Sequence, residues 1–220
     1  TEKNSEGGAD MRIDKKSLLV YLVTDSRWLE GRSLESQVEQ AIEGGVSFVQ
    51  LRQKDKSGAE LADFAKNTQE VCRRHGVPFV INDDVDAAFL CGSDGVHVGQ
   101  SDRCVADARA ILGDSKIIGA SVQTVEQAIE AQRDGADYLG VGAVFATGSK
   151  SDADSVDRET LTEICRSVTI PVIAIGGITA ENISELKGSG ICGVAVISAI
   201  LAQRNPREAS MRLCRAAACL

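Results

Sequence analysis

Two cationic side chains and an amide stand two positions apart in one short stretch, at Gln50, Arg52 and Lys54. Residues two apart lie on the same face of a β-strand, so the spacing predicts that these three point together and that Gln53 points away from the cations. Two neighbouring cations favour an anionic ligand such as a phosphate. An exposed edge strand could carry the same side chains without a binding role, because edge strands often carry charge.

Carboxylates follow the next two apolar runs. Asn82 and Asp83 end one run, and Asp102 follows the other. Either position alone is typical of a helix cap. At the same end of neighbouring parallel strands, however, Asp83 and Asp102 could share a hard cation. These ligands favour Mg²⁺, which takes one or two carboxylates and also binds substrate phosphates. Ser121 ends the following run, next to this pair.

A second phosphate-binding composition occurs in the segment TGSK, Thr147–Lys150, after another apolar run. A nucleotide P-loop requires G-x-x-x-x-G-K-[ST]. Counted from Gly142, both the glycine spacing and the Gly-Lys adjacency fail, which excludes that motif. Backbone amides at glycine turns and helix N-termini also bind phosphate, so Gly177 and the turn at Ile197 and Ser198 predict a second anion subsite.

The elements that must position these residues follow one repeated pattern. Short aliphatic runs, mostly rich in β-branched residues and bounded by turn residues, alternate with amphipathic segments of helical periodicity. The runs are Leu18–Asp25, Phe48–Lys54, Pro78–Asp83, Gly95–Gln100, Lys116–Ser121, Tyr138–Phe145, Pro171–Ile178 and Gly193–Ile200. Eight such units predict an α/β fold, a single-domain (β/α)8 TIM barrel. The alternative is an open doubly wound sheet, but the dinucleotide G-x-G-x-x-G is absent after the first run.

Composition sets the remaining bounds. Of 220 residues, 43% are hydrophobic and only 4% aromatic, so the core must be aliphatic, as in buried parallel strands. We expect residues 1–16 to be disordered and residues 17–220 to form the barrel. A net charge of −8 argues against a nucleic-acid partner. Without an apolar run of membrane-spanning length or a secretory signal, we expect no membrane association and a cytoplasmic location. Seven cysteines without a C-x-x-C pair are typical of reduced thiols rather than a zinc site.

Six segments together carry a family resemblance. They are VQLRQKDKSG, INDDVDAAFLCGSDGVHVGQSD, KIIGASVQT, GADYLGVGAVFATGSKSDA, PVIAIGGITAENI and GVAVISAI. In this order they resemble the thiamine-phosphate synthase (thiamine-phosphate pyrophosphorylase) family from about Leu19 to about Leu201. The resemblance implies a (β/α)8 barrel. It also implies a transferase that joins 4-amino-2-methyl-5-(diphosphooxymethyl)pyrimidine to 4-methyl-5-(2-phosphooxyethyl)thiazole, giving thiamine phosphate and pyrophosphate.

The resemblance also implies roles for individual residues. The pyrimidine diphosphate would contact Gln50, Leu51, Arg52, Gln53, Lys54, Asn82, Ser121 and Lys150, of which Arg52, Lys54, Ser121 and Lys150 would be catalytic. The thiazole phosphate would contact Thr147, Gly148, Ser149, Gly177, Ile197 and Ser198. Asp83 and Asp102 would hold Mg²⁺. The attacking thiazole nitrogen carries no proton, so no general base is needed. We therefore expect His75 to be structural and His97 to have a structural or supporting role.

The sequence departs from the family pattern in three places. In the loop after the sixth run, Ala146 replaces a proline and Ser149 a threonine, although the hydroxyl is kept. Gln123 stands where a histidine is frequent, and Gln53 replaces a glutamate. A thiazole tautomerase-like enzyme and a non-catalytic thiamine-phosphate-binding protein on the same fold are the alternatives. The complete set of diphosphate cations and metal carboxylates argues against both. The sequence is silent on the oligomeric state.

Overall fold

Eight parallel strands close into a barrel in the computed structural model, which describes residues 13–29, 31–146 and 155–220. The strands are β1 Val20–Val23, β2 Phe48–Leu51, β3 Phe79–Asn82, β4 Gly95–Val98, β5 Ile117–Val122, β6 Tyr138–Val141, β7 Val172–Ile175 and β8 Gly193–Val196. Each strand pairs with the next along the chain, and β8 pairs with β1 in the register Tyr21↔Ala195. The predicted (β/α)8 fold is confirmed.

Helices surround the barrel. They are α1 Leu34–Glu43, α2 Gly58–His75, α3 Val85–Cys91, α4 Val105–Leu112, α5 Val125–Arg133, α6 Arg158–Ser167, α7 Ser198–Leu201 and α8 Pro206–Ala217. Short 3₁₀ helices span Lys15–Leu18, Ser26–Trp28 and Ile183–Leu186, the last in the connection between β7 and β8. Among the described residues, no helix has both the length and the apolar character needed to span a bilayer.

Side chains alternate between two buried layers along each strand, as the two-residue period requires. Outward-facing residues such as Leu22, Val49 and Leu51 pack against the helices. Inward-facing residues such as Tyr21 and Phe48 fill the barrel. The layer between strands and helices is mainly aliphatic, whereas the barrel interior contains the three rings of Tyr21, Phe48 and Tyr138.

Local signals at helix ends agree with the sequence. Thr124, the N-cap of α5, accepts a hydrogen bond from the backbone N–H of Gln127 at 3.3 Å. Gln127 returns a hydrogen bond at 2.7 Å, but it accepts from the backbone N–H of Gln123 rather than from that of the cap residue. Pro206 begins α8, with Asn205 as its N-cap, as expected for a residue that lacks a backbone N–H.

The N-terminal end of the barrel is closed by a segment that we expected to be disordered. Ile13 is buried and Lys15 begins a 3₁₀ helix, so the expectation for residues 1–16 is wrong for 13–16. Ile13 and Leu18 join the interior cluster with Tyr21 and Phe48, and this apolar burial stabilises the segment. Residues 1–12 lie outside the described part of the chain.

Candidate active site

A cavity of about 480 Å³ opens at the carboxyl ends of the strands. It is lined by Arg52, Gln53, Lys54, Lys56, Ser57, Leu61, Asn82, Asp83, Asp84, Val85, Asp86, Asp102 and Arg103. Arg52, Gln53, Lys54, Asn82, Asp83 and Asp102 belong to the set of residues predicted from the sequence. Cations and carboxylates thus meet in one concave surface, at the end of the barrel where TIM-barrel enzymes place their chemistry.

The cations reach this cavity from a loop rather than from a strand face. Strand β2 ends at Leu51, so Arg52 and Lys54 follow the strand, and the two-residue alternation no longer governs them. Gln53 also lines the cavity, and the expectation that its side chain points away from the cations stays a prediction. Its amide donates to Asp55.

Two residues of the predicted diphosphate segment lie elsewhere. Gln50 points into the barrel, is only 4% exposed and donates from Nε2 to the Tyr21 hydroxyl at 2.8 Å. Leu51 is fully buried in the layer between strands and helices, so only its backbone could contact a ligand. The family motif is continuous in sequence, whereas the strand directs successive side chains to opposite layers.

Asp25 orients the Arg52 guanidinium. Its Oδ2 accepts from Arg52 Nη1 at 3.0 Å, and the Arg52 backbone N–H donates to Thr24 Oγ1 at 2.9 Å. Burial opposes ionisation of Asp25, but hydrogen bonds from Arg27 and the charges of both arginines outweigh it and lower the pKa of the carboxyl. We did not select Asp25 from the sequence, although it ends the first aliphatic run as Asp83 ends the third.

Asp83 and Asp102 lie side by side. Partial burial raises the pKa of Asp83 to about 6, together with the hydrogen bond and negative charge of Asp102, against the opposing effects of Asn82 and Arg52. Asp102 Oδ2 also accepts from the Gly99 backbone N–H at 2.8 Å. Asp83 has a φ of 64°, a left-handed conformation that Asp tolerates better than most residues.

The carboxylate pair fits a magnesium ion in its chemistry. Two adjacent carboxylates compete for one proton, so a divalent cation would relieve their repulsion. Among the described residues, no group of three or more His, Cys, Asp or Glu side chains could hold a metal ion. An ion at Asp83 and Asp102 would therefore complete its shell with water or phosphate oxygens, as Mg²⁺ usually does.

Ser121 lies at the end of β5, where its Oγ is 2.9 Å from His97 Nε2. His97 Nδ1 is in turn 2.9 Å from the Tyr138 hydroxyl, and Tyr138 is 2.8 Å from Tyr21. These contacts lie inside the barrel. The expected supporting role of His97 is consistent with them, whereas His75, at the end of α2, lies 3.4 Å from Glu39 in an exposed pair.

The loops after β6 and β7 pack directly on each other. Phe145 donates its backbone N–H to Gly176 at 3.1 Å, and a Cβ on Gly177 would lie 2.4 Å from the Ala146 carbonyl oxygen. Gly177 also has a φ of 63°, which favours glycine. Ile197 immediately precedes α7, which begins at Ser198. The predicted residues Thr147, Gly148, Ser149 and Lys150 lie outside the described residues.

Comparisons with known proteins agree with this geometry. A family model described as thiamine monophosphate synthase matches residues 20–200. The thiamine-phosphate synthase of Ruminiclostridium cellulolyticum is 50% identical over 194 residues, which cover 88% of this chain and 92% of the relative. The enzyme of the same name from Clostridium tetani is 47% identical over 194 residues, covering 88% and 93%.

Solved structures show the same relationship. The thiamine phosphate pyrophosphorylase from Pyrococcus furiosus superposes with a TM-score of 0.85 at 37% identity, covering 93% of this chain and 97% of that one. The N-acetylmannosamine-6-phosphate 2-epimerase from Clostridium perfringens, at 21% identity and a TM-score of 0.62, covers 90% and 92% and shares the fold alone. The resemblance seen in the sequence is thereby confirmed. The chain belongs to the thiamine monophosphate synthase family.

Proposed function

We infer that the protein is a thiamine-phosphate synthase, a transferase that releases pyrophosphate. It joins 4-amino-2-methyl-5-(diphosphooxymethyl)pyrimidine to 4-methyl-5-(2-phosphooxyethyl)thiazole and forms thiamine phosphate. The observation that carries this inference is the cavity in which Arg52 and Lys54 face the Asp83–Asp102 pair, in a chain of this family. Such a surface suits a diphosphate that departs as an anion.

The diphosphate is the group that this cavity fits best. The Arg52 side chain is only 15% exposed and is oriented by Asp25, so its remaining N–H groups are preorganised for phosphate oxygens. Lys54 adds a second positive charge, and Asn82 supplies an amide at the same rim. We propose that these residues bind the leaving group, with Lys150 as a further cation.

Asp83 and Asp102 would hold a magnesium ion. When bound there, the ion supplies positive charge against the charge that develops on the departing pyrophosphate. Asp102 is oriented by the Gly99 N–H, and Asp83 is fixed by its own backbone N–H, which donates to the His97 carbonyl at 2.8 Å. Both carboxylates are thus positioned by backbone contacts.

The substitution needs charge stabilisation and positioning rather than proton transfer. The bond between the pyrimidine methylene carbon and the diphosphate oxygen breaks, and its electron pair leaves with pyrophosphate. The aminopyrimidine ring stabilises the resulting methylene cation, and the thiazole nitrogen lone pair then forms the new C–N bond. Arg52 and Lys54 would stabilise the leaving group, while Ser121 and Gln50 would orient the pyrimidine. The second phosphate would bind at Gly177, Ile197, Ser198 and the loop Thr147–Ser149.

Both proposed substrates, the pyrimidine diphosphate and the thiazole phosphate, are small phosphorylated molecules. A thiazole tautomerase-like enzyme or a non-catalytic thiamine-phosphate-binding protein would have no use for paired cations and carboxylates around a diphosphate. A cytoplasmic location and the absence of a nucleic-acid partner stay predictions from composition.

A coupled assay tests the proposal. Purified protein with both substrates and Mg²⁺ should release pyrophosphate and form thiamine phosphate in equal amounts, and omitting any one component should abolish both. Asp83→Asn should lower turnover by at least about 100-fold, since it removes one of two cation ligands, while the variant stays folded. A matched control is Asp86→Asn, at the cavity rim but in an exposed pair with Arg103. Isomerisation of the thiazole without the coupled product would refute the proposal.

A further inference from the structure

A continuous chain of hydrogen bonds crosses the barrel interior from Gln50 to Ser121. These are the two residues that we propose orient the pyrimidine. The hydrogen-bond chain runs from Gln50 through Tyr21, Tyr138 and His97 to Ser121, with successive distances of 2.8, 2.8, 2.9 and 2.9 Å. We call these five residues the interior network. Apart from Ser121, which is half-buried, every member is less than 9% exposed. Water therefore has little access to its middle, and its buried polar atoms need partners within the protein.

The space for this network is set by glycines. A Cβ on Gly119 would lie 2.2 Å from Tyr138 Cζ and 2.5 Å from His97 Nδ1. A Cβ on Gly140 would lie 3.2 Å from His97 Cε1. Both glycines are strand residues, where a branched aliphatic side chain would otherwise be favoured. Glycine at positions 119 and 140 thus replaces an apolar side chain and leaves space for the polar side chains of the network.

With a neutral His97 ring and with Gln50 donating through Nε2, the donors of the network all point in one direction. Gln50 Nε2 donates to Tyr21. Tyr21 then donates its only proton to Tyr138, and Tyr138 donates to His97 Nδ1. His97 Nε2 therefore carries the ring proton and donates to Ser121 Oγ, so the Ser121 hydroxyl proton is free to point toward a ligand. The opposite direction would place the His97 proton on Nδ1 and reverse the hydrogen-bonding character of both ends.

A change at one end of the network can affect the other end through the orientation of the hydroxyl groups, and not through ionisation of the tyrosines. Burial raises the pKa of Tyr21 far above its ordinary value, and burial together with the charge and hydrogen bond of Tyr21 raises that of Tyr138. Both phenols therefore stay protonated at neutral pH. A change at one end can reach the other only through the direction in which each hydroxyl points.

We propose that the interior network makes His97, Tyr138 and Tyr21 positioning residues that select the hydrogen-bonding edge of the pyrimidine. In the direction described, the ends present the Gln50 carbonyl as an acceptor and the Ser121 hydroxyl as a donor. A 4-aminopyrimidine offers the matching edge, an amino donor beside a ring-nitrogen acceptor. A 4-oxopyrimidine offers the reverse, a carbonyl acceptor beside a ring N–H donor, and meets two mismatched partners. This inference rests on the proposed function, because that function places the pyrimidine between Gln50 and Ser121.

The first test reads the direction without any substrate. The protein has only two histidines, so ¹⁵N spectra of the full chain resolve both rings, and His75→Gln identifies the signals of His97. We expect His97 to carry its proton on Nε2 with Nδ1 unprotonated. Tyr138→Phe removes the donor to Nδ1 and should weaken this preference. A wild-type proton on Nδ1, or on both nitrogens, would overturn the proposal.

The second test measures binding of two diphosphates, the 4-aminopyrimidine and its 4-oxo analogue, by calorimetry without thiazole. The wild type should prefer the amino compound by at least about 100-fold, since an unpaired buried polar group is heavily penalised. Tyr138→Phe should reduce this ratio by about 10-fold. Tyr21→Phe breaks the same network and serves if Tyr138→Phe does not fold.

The control is Thr68→Val, which removes a buried hydroxyl from α2 that makes no hydrogen bond among the described residues. Its selectivity should equal that of the wild type. A folded Tyr138→Phe with unchanged selectivity would contradict a positioning role, because a purely structural role alters stability and not the ratio. If the wild type binds the amino compound selectively but forms no thiamine phosphate, the proposed function fails while the interior network stands.

Discussion

Asp25 lies at the end of β1, where its carboxylate is shared by two arginines. Arg52 binds it at 3.0 Å, and the Arg27 guanidinium binds both of its oxygens. The Arg52 pair is nearly buried, so it is less screened by solvent than the exposed ion pairs on the helices. Asp25 does not itself line the cavity, but it orients Arg52, which does.

We expect Asp25→Asn to weaken binding of the pyrimidine diphosphate and to reduce stability. At neutral pH the free energy of unfolding should fall by about 2 kcal/mol, because hydrogen bonds to charged groups are lost. The folded-state pKa of Asp25 is lowered, so its contribution is complete above its ordinary pKa near 3.8 and is lost as the pH falls below that value. Denaturant unfolding of both proteins between neutral and acidic pH should show the difference shrinking toward low pH.

The control for this prediction is Asp63→Asn. Asp63 pairs with Lys66, and both side chains are exposed. Its substitution should change the unfolding free energy by less than about 0.5 kcal/mol. If Asp63→Asn and Asp25→Asn cost the same at neutral pH, the special role of the Asp25 pair would be lost.

At the scale of elements, the loops after β6 and β7 behave as one unit. The backbone N–H of Val144 donates to Ile175 at 3.0 Å, and Phe145 donates to Gly176. The β6 loop continues into Thr147–Lys150, for which the family resemblance implies contacts with both substrates. Gly177 approaches Phe145 and Ala146, the residues directly before that segment.

We expect Gly177→Ala to impair thiazole phosphate binding selectively. The new Cβ would lie 2.4 Å from the Ala146 carbonyl oxygen, so the β6 loop must move. A displacement of this size should raise the KM for the thiazole substrate by between about 10- and 100-fold. Binding of the pyrimidine diphosphate alone, measured by calorimetry, should change little.

Gly92→Ala separates backbone strain from the steric clash. Gly92 has a φ of 64°, close to that of Gly177, but a Cβ there would meet no atom within 4 Å. It should cost about 1 kcal/mol of stability through backbone strain and leave both substrate affinities unchanged. A similar rise in the thiazole KM for both variants would mean that the loop contact is irrelevant.

At the scale of the whole molecule, a closed barrel has no free strand edge, so its interior can be reached only through its two ends. The carboxyl end carries the cavity. The amino end is sealed by Ile13 and Leu18, which pack with Phe48 and with Tyr21, itself a member of the interior network. The residues that seal the amino end and the interior network therefore belong to one buried cluster. Packing at the amino end thus contacts the residues that form the network.

We expect Leu18→Ala to destabilise the whole barrel by about 2–5 kcal/mol, the cost of a cavity in a packed core. Leu18 is fully buried. Leu90→Ala is the matched control, because Leu90 is 59% exposed, and it should cost less than about 0.5 kcal/mol. Chemical denaturation of the two variants measures the difference. Equal costs would show that the segment does not seal the barrel.

Local patterns were enough to predict the barrel and the end of it that carries the site. Aliphatic runs indicate strands, because buried parallel strands are apolar on both sides. Polar residues at the ends of these runs indicate the end of the barrel at which TIM-barrel sites lie. The pairing of Asp83 with Asp102 followed from that rule. The roles of all the candidate site residues, and the magnesium ion at Asp83 and Asp102, stay predictions.

Only the tertiary structure decides which distant positions come into contact and where each strand stops. Nothing local shows that β2 ends at Leu51, which moves Arg52, Gln53 and Lys54 into one loop and separates them from Gln50. Nothing local pairs Asp25 with Arg52. The interior network joins residues on five strands, and its hydrogen bonds depend on barrel closure and on the space left by Gly119 and Gly140. Such contacts are set by the packing of the whole chain, because no residue in them is near its partner in sequence.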